Sequence, residues 1–326
     1  MGEFSVDFKM GRFVVSLNSY AAALAAANTT ASSQNYPRGA LYVVATPIGN
    51  LADISLRALH ILDLAETIAC EDTRHSQALL RAFGIDKTAQ QLLGIHQHNE
   101  AEASVVAIDR LRAGQRVAYV SDAGTPGVSD PGARLVAAAR SDGFQIVPVP
   151  GSSCVTALLS VAGVLTGNPG DMGFIFAGFL PAKAAQRAEF VRKLKGQVGC
   201  VVVLEAPHRI ESAALALAEL ADRPITVGRE LTKQFEEIVT LAAKDIPAWL
   251  HENSNRLRGE FALVIHPVGI VASPGSDRRV LKLLMSEVPL KTAVRLAAEI
   301  TGEHKNDLYE AALAMKVAGS KAVTRV

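Results

Sequence analysis

The stretch Ser121-Asp-Ala-Gly-Thr-Pro-Gly-Val-Ser-Asp-Pro-Gly132 decides the fold assignment, because of both its position and its composition. It follows an apolar run that predicts a strand at 116–120 and precedes a run that predicts a helix at 133–140. Most connections of this kind need only ~2–6 residues. Glycine lets a backbone approach a ligand closely, and proline fixes the shape of a loop. The stretch therefore predicts a ligand site at the carboxyl end of a strand, with a long structural turn as the alternative.

Runs that predict strands and helices alternate from Ala40 to Val161. Strands are expected at 41–45, 67–70, 92–95, 116–120 and 145–149, and helices at 54–64, 75–83, 101–111, 133–140 and 152–161. Five strand–helix units in succession predict an α/β fold with a doubly wound parallel sheet.

A second α/β region follows the turn-rich segment 165–171, which is typical of a linker. Strands are expected at 174–177, 200–204, 225–227, 237–241 and 261–265, with helices at 184–194 and 210–220. Because the last three strands have short connections, we expect a mixed sheet.

The end of the chain, after a second linker at 271–276, is predicted to be helical. Helices are expected at 278–286, 290–300 and 306–315, and Thr301-Gly302 breaks the last two in a helix-turn-helix pattern. Either a small packing subdomain or a nucleic-acid contact fits this pattern. The predicted domains are a poorly ordered extension at 1–38, α/β domains at 39–166 and 171–268, and a helical tail at 276–326.

Composition narrows the possible functions of the 326-residue chain. The net charge of +1 does not indicate a general nucleic-acid binder. The three cysteines, Cys70, Cys154 and Cys200, are far apart and predict reduced core residues of a cytosolic protein. No metal-ligand motif occurs, so no metal is predicted, and no apolar run reaches the ~20 residues that a membrane span needs.

Several other polar loops follow predicted strands. They are Thr46–Asn50, Glu71–His75, Pro150–Ser153, Glu205–Arg209 and Gly228–Glu230 with Lys233. Charged and polar groups at strand ends in both domains predict a polar cleft between the domains. Neither GxGxxG nor GxxxxGK[ST] is present, which argues against an ordinary dinucleotide or P-loop site.

Together these loops resemble the tetrapyrrole-methylase-like class of S-adenosylmethionine (SAM)-dependent methyltransferases, over residues 39–316. Within that class the similarity is to the branch that methylates small-subunit ribosomal RNA. The residues that carry the resemblance are 46–51, 70–75, 121–132, 149–153, 178–181, 205–209, 229–233, 258–261 and 305–309.

The resemblance implies methyl transfer from SAM to the ribose 2′-oxygen of a cytidine in the decoding region of 16S rRNA. It also implies a cytoplasmic homodimer that binds the small ribosomal subunit, with SAM in the cleft between the two α/β domains. The SAM contacts that it implies are Pro47, Asp122, Ala123, Gly124, Thr125, Ser152, Ser153, Leu180, Ala206 and Glu260. An acid such as Asp122 suits the cationic donor, and an apolar wall such as Leu180 and Ala206 suits its adenine.

On the acceptor side of the site, several residues are candidates for each role. A ribose hydroxyl is a poor nucleophile while protonated, so a general base would help. The candidate bases, which we do not rank, are Glu71, Asp72, Glu205 and His208, and the candidate RNA-phosphate contacts are Arg74, Arg209, Arg229 and Lys233. Two alternatives are a methyltransferase for small tetrapyrrole-type molecules and an inactive RNA-binding or ribosome-assembly module.

Overall fold

The computed structural model describes residues 3–8, 11–16, 20–96, 98–128, 130–164, 173–267, 276–301 and 304–323. Residues 1–268 and 269–326 form two compact units. The two predicted linkers, apart from Ser276, lie outside the described residues, and the domain bounds placed at them stay predictions.

The N-terminal part of the chain, for which the composition of residues 1–38 predicts a poorly ordered extension, has regular secondary structure in its described residues. β1 (Glu3–Phe8) and β2 (Gly11–Ser16) pair as an antiparallel hairpin, and α1 (Ala21–Ala31) is a regular helix. Ala27 is completely buried in the first hydrophobic core. Alanine has the highest intrinsic helix propensity, and its small side chain lets this helix pack closely against the core.

The first half of the larger unit is a five-stranded parallel sheet in the order β5-β4-β6-β3-β7. Its strands are β3 (Ala40–Val44), β4 (Thr67–Cys70), β5 (Leu92–Gly94), β6 (Val117–Val120) and β7 (Gln145–Val149). Its helices are α2 (Leu56–Leu64), α3 (Thr73–Ala82), α4 (Glu100–Arg112), α5 (Ala133–Ser141) and α6 (Cys154–Val161).

Both faces of this sheet are buried. Tyr42 and Val44 pack with residues of α2 and α3 on one face, whereas Leu41 and Tyr119 pack with residues of α4 and α5 on the other. Parallel sheets are generally buried on both faces because their crossover helices cover them. The predicted doubly wound sheet is confirmed.

The second half of the larger unit is a mixed sheet in the order β11-β10-β12-β9-β8. Its strands are β8 (Phe174–Phe179), β9 (Cys200–Glu205), β10 (Pro224–Arg229), β11 (Glu237–Ala242) and β12 (Phe261–Ile265). The β8–β9 pair is parallel and the other pairs are antiparallel, so the predicted mixed sheet is confirmed. The helices are α7 (Ala184–Lys195), α8 (Ile210–Leu217) and α9 (Ile246–His251), of which the sequence analysis missed α9.

A shared apolar core joins the two sheets. Helix α6, which leaves the parallel sheet, places Val155 and Leu158 against Val202 and Val264 of the mixed sheet. Ile48, from the loop after β3, belongs to the same core. The carboxyl edge of the parallel sheet is therefore held beside one face of the mixed sheet, formed by the inner strands β9 and β12.

The C-terminal unit consists of helices α10 (Ser276–Glu287), α11 (Leu290–Thr301) and α12 (Lys305–Val323). Leu281, Val294 and Leu308, one from each helix, are buried together. The predicted helical tail therefore has a small core of its own.

Candidate active site

The loop Ser121–Gly132 after β6 is shaped around the carboxylate of Asp130. That carboxylate accepts hydrogen bonds from the Tyr119 hydroxyl at 2.5 Å, from the Gly127 amide at 2.7 Å and from the Gly132 amide at 3.1 Å. Burial, reinforced by the hydrogen bond to Asp130, raises the pKa of Tyr119. Gly132 lies flat against the buried Tyr119 ring, so a side chain at this position would overlap the ring.

Three loops at the carboxyl edge of the parallel sheet are joined by hydrogen bonds in which main-chain groups take part. Thr46 and Gly124 exchange two amide–carbonyl hydrogen bonds of 3.0 and 3.1 Å. The Thr125 hydroxyl donates to the carbonyl of Ser152 at 3.0 Å. Gly124 has φ +83°, in the left-handed region that favours glycine. The loops after β3, β6 and β7 thus form one wall, which we call the backbone wall.

The loop after β4 lies at the same edge. Asp72 caps α3 by accepting from the amides of Arg74 at 2.9 Å and His75 at 3.4 Å. The Arg74 amide, the largest influence, holds the pKa of Asp72 below its usual range. Nε2 of His75 lies 3.1 Å from the carbonyl oxygen of Asp122, which ties this loop to the loop after β6. The Arg74 side chain is 91% exposed.

The opposite wall begins at the end of β9 with a buried ion pair. Nε of Arg209 lies 3.1 Å from the Glu205 carboxylate, and Nη2 of Arg209 also donates to the carbonyl of Leu180. The amide of Ala206 donates to Glu205 at 2.9 Å. Burial raises the pKa of Glu205, although the Ala206 amide and the Arg209 cation oppose that shift.

Lys233, after β10, anchors the rest of this wall. Its ammonium group lies 2.7 Å from Glu230 and 3.2 Å from Glu260, and its side chain is only 6% exposed. The Glu260 amide donates to the Glu230 carboxylate at 2.9 Å. A Cβ at Gly49, from the facing loop, would lie 2.5 Å from Cγ of Lys233. We call this side the ion-pair wall.

A cleft of about 250 Å³ lies between the two walls. This volume is close to the lower end of the range for small-molecule sites. The lining residues are Ile48, Ala123, Cys154, Phe179, Leu204, Glu205, Ala206, Pro207, Leu231, Lys233, Glu260, Phe261 and Ala262. One part of the lining is apolar, and the other holds two carboxylates and one ammonium group.

Three residues predicted as cofactor contacts, Ala123, Ala206 and Glu260, line this cleft. The others lie in the surrounding loops without lining it; they are Pro47, Asp122, Gly124, Thr125, Ser152, Ser153 and Leu180. Among the predicted bases, Glu205 lines the cleft, whereas Glu71 and Asp72 lie at the end of β4 and His208 is exposed beside Glu205. The cofactor and base assignments stay predictions.

The predicted RNA contacts differ in exposure. Arg74 is 91% exposed and pairs with the neighbouring Asp72, at 3.4 Å, whereas Arg209 and Lys233 are held in the ion pairs described above. Arg229 is buried and donates to the carbonyls of Arg258 at 2.7 Å and Phe235 at 3.3 Å, so its guanidinium stabilises a loop. The RNA-contact assignments stay predictions.

Sequence reasoning missed several lining residues, including Ile48, Cys154 and Leu231. Ile48 and Leu231 lie inside the stretches 46–51 and 229–233 noted above, but their apolar side chains are typical of core residues. Their position follows from the shared core between the sheets, to which all three belong or pack. Burial raises the pKa of the Cys154 thiol, and that of Cys70 to about 11, so neither is a ready nucleophile.

The described residues hold neither a group of side chains suited to a metal ion nor a membrane-spanning helix. Their histidine, cysteine and acidic side chains nowhere gather in threes as metal binding requires. Nor is any of their helices both long and apolar enough to traverse a bilayer.

Two family profiles match the chain. Residues 40–247 match the family described as Tetrapyrrole (Corrin/Porphyrin) Methylases. Residues 271–316 match the RsmI C-terminal HTH domain. The second match covers most of the C-terminal helices.

Curated relatives are similar over nearly their whole length. The chain is 44% identical over 281 residues to ribosomal RNA small subunit methyltransferase I of Pseudomonas aeruginosa, covering 84% of this chain and 97% of that protein. It is 41% identical over 285 residues to the protein of the same name from Escherichia coli O157:H7, covering 86% and 97%. A solved structure of a cobalamin biosynthetic enzyme, cobalt precorrin-4 methyltransferase, is similar in fold, with a TM-score of 0.50, 19% identity and coverage of 72% and 98%.

Proposed function

The chain belongs to the tetrapyrrole (corrin/porphyrin) methylase family, and from this premise we propose that it methylates small-subunit ribosomal RNA with SAM as the methyl donor. The observation that carries this proposal is the continuous similarity to the curated relatives, over 97% of their length. It extends through the tail, which lies outside the tetrapyrrole methylase match.

The chemistry of the cleft fits a sulfonium donor. Apolar side chains such as Ile48 and Leu231 suit an adenine ring, and the carboxylates of Glu205 and Glu260 suit a cation. Main-chain groups of the backbone wall, around Ala123, can approach a ligand without side-chain clashes. Bound SAM would supply an electrophilic methyl group, while the two walls orient it and keep water from it.

For the acceptor we propose the 2′-hydroxyl of a cytidine in the decoding region of 16S rRNA. Of the four candidate bases, Glu205 is the one whose side chain lines the cleft. Burial raises its pKa, which brings the carboxylate closer to the range in which a general base is effective. Asp72 is a weaker base, because its helix-capping hydrogen bonds stabilise the charged form.

We also propose that the C-terminal unit contributes to RNA binding. Its profile match is to a helix-turn-helix domain, a motif that often contacts nucleic acid. Deleting residues 269–326 should weaken binding to small ribosomal subunits while leaving SAM affinity unchanged. An equal loss of both affinities would make the tail a structural element only.

A cytoplasmic homodimer is part of the same proposal and rests on family resemblance. Sedimentation velocity at micromolar concentration would test the dimer directly, and a purely monomeric boundary would contradict it.

Methyl transfer from tritiated SAM tests the activity. Small ribosomal subunits that lack the modification should incorporate the label, fully modified subunits should not, and digestion should release labelled 2′-O-methylcytidine. Transfer into a tetrapyrrole precursor but not into subunits would support a small-molecule enzyme instead. SAM binding without transfer to the unmodified subunits would overturn the proposal.

A further inference from the structure

The segment 230–236 between β10 and β11, which we call the β10–β11 loop, has a costly backbone conformation. Glu230 and Thr232 have φ of 51° and 66°, values that non-glycine residues rarely adopt. Internal hydrogen bonds hold this shape, among them Lys233 amide to Glu230 carbonyl at 3.0 Å and Thr232 amide to Glu236 carboxylate at 2.6 Å. Strain of this kind persists where the surroundings fix a conformation, and it is concentrated at functional sites.

The loop is also anchored from outside. Lys233 is nearly buried and bridges Glu230 and Glu260. The hydroxyl of Thr232 accepts from the amide of Asn50 at 3.1 Å, which ties the loop to the backbone wall. The buried guanidinium of Arg229 donates to the carbonyl of Phe235. The backbone that carries Phe235 is therefore fixed.

This fixed loop exposes a single phenyl ring. Phe235 is 70% exposed, the highest value among the large hydrophobic side chains that the structure describes. Its neighbours Gln234 and Glu236 are exposed and polar. A protein–protein interface commonly buries ~800 Å² on each partner and has an apolar centre. One ring between polar neighbours is better matched in size to one face of a nucleobase.

The ring lies near the strand ends of the mixed sheet that border the cleft. At these ends Arg229 pairs with both Glu237 and Phe261, and Phe261 pairs with Glu205. Glu205, Phe261 and Lys233 all line the cleft, and Lys233 is two residues from Phe235. An RNA strand that presents a ribose to the cleft would place an adjacent nucleotide near these strand ends.

We propose that Phe235 stacks on an unpaired base next to the nucleotide that receives the methyl group. The proposal rests on the RNA methyltransferase function proposed above. Proteins that recognise RNA commonly stack unpaired bases on exposed aromatic rings. The ring positions the RNA without contacting the reacting atoms, so Phe235 is a positioning residue, and the strained loop removes the cost of ordering it on binding.

Three substitutions in the full-length chain test the stacking. Phe235→Ala removes the ring, Phe235→Leu keeps apolar bulk without an aromatic face, and Phe235→Trp keeps an aromatic face. Leu215→Ala, at another exposed hydrophobic residue (62%) on α8, is the matched control. Each variant is assayed for methyl transfer to unmodified small subunits, for SAM affinity by calorimetry and for oligomeric state by sedimentation.

Phe235→Ala and Phe235→Leu should raise the KM for subunits roughly 5-fold to 150-fold, the range that the loss of one stacked base predicts. Phe235→Trp and Leu215→Ala should stay within about 3-fold of the wild type, and SAM affinity should not change in any variant. An unchanged KM for Phe235→Ala, full activity of Phe235→Leu or a changed oligomeric state overturns the stacking proposal alone. Absence of transfer by the wild-type chain overturns both proposals.

Discussion

The two walls of the cleft keep their shape by different physical means. In the backbone wall, Thr46 and Gly124 pair through amide and carbonyl groups, and the side chains are small. In the ion-pair wall, Glu205 is paired with Arg209, and Lys233 with Glu230 and Glu260. The first wall should therefore be sensitive to added volume, and the second to lost charge.

The largest effect is expected from Arg209→Met in the ion-pair wall. Removing one partner of a buried pair leaves an uncompensated charge and typically costs about 4 kcal/mol of unfolding free energy. Burial has already raised the pKa of Glu205, and loss of the cation raises it further. A raised carboxyl pKa gives stability that is present at low pH and lost as the pH rises through the folded-state pKa.

The loss of unfolding free energy caused by Arg209→Met should therefore be greatest near pH 8 and smaller near pH 5. Urea unfolding at both pH values measures it. Adding Glu205→Gln to the variant should remove the pH dependence. An equal loss at both pH values would show that the pair is not what stabilises this wall.

Gly132→Ala should have the next largest effect, because it adds volume to the backbone wall. The new methyl group would overlap the Tyr119 ring, which is fully buried and fixed by its bond to Asp130. Overpacking of this kind costs about 2–3 kcal/mol of unfolding free energy.

Gly143→Ala is the control for Gly132→Ala, since a methyl group there meets open space and only the positive φ of +79° opposes it. That strain costs about 1 kcal/mol. Denaturant midpoints that fall equally for the two variants would contradict the steric account.

Lys233→Met separates the role of this lysine in the cleft from the RNA contact that the sequence predicts. Lys233 holds the carboxylates of Glu230 and Glu260 in place, so its loss should displace Glu260 and lower SAM affinity about 10-fold, as for the loss of a charged hydrogen bond. The salt dependence of RNA binding should not change.

Lys244→Met is the matched control for Lys233→Met. It removes an exposed ion pair with Asp222, and such pairs contribute little. If Lys233→Met flattens the salt dependence of RNA binding instead, the lysine binds phosphate.

Arg74→Met should have the smallest effect and act on RNA alone. Its exposed guanidinium extends from the first turn of α3, and loss of one phosphate contact should reduce the slope of log K against log salt by about 0.7–1. Arg38→Met, an exposed arginine just before β3, should leave the slope unchanged. Equal slopes for the Arg74 variant and the wild type would exclude Arg74 from the RNA contacts.

The backbone wall could be predicted from the sequence better than the ion-pair wall. The glycines and prolines of Ser121–Gly132 act locally, so the sequence alone indicates a constrained loop at a strand end. Besides partners nearby in the chain, Arg229 donates to a carbonyl 29 residues away and Lys233 pairs with a carboxylate 27 residues away. No local pattern shows that these cations are turned inward.

The helices α1 and α9 show the same limit. Ala21–Ala31 is rich in alanine, and its burial depends on the core that it covers. Ile246–His251 is a short helix with proline in its first turn, and Ile246, Trp249 and Leu250 are buried against the mixed sheet. In both cases tertiary packing decides the outcome, which local propensity alone does not.

The strand order of the parallel sheet also determines when each strand can pair while the chain is being synthesised. β3 lies between β6 and β7, so Leu41 pairs with Val117 and with Ile146, which the ribosome adds much later. At about 5–20 residues per second, β3 waits roughly 5–20 s for its second partner. During that interval one hydrogen-bonding edge of β3 has no partner. Strands β4 and β5 can pair with each other before then. Strand β3 of the nascent chain, which lies between two later strands, is therefore a segment that needs protection by a chaperone.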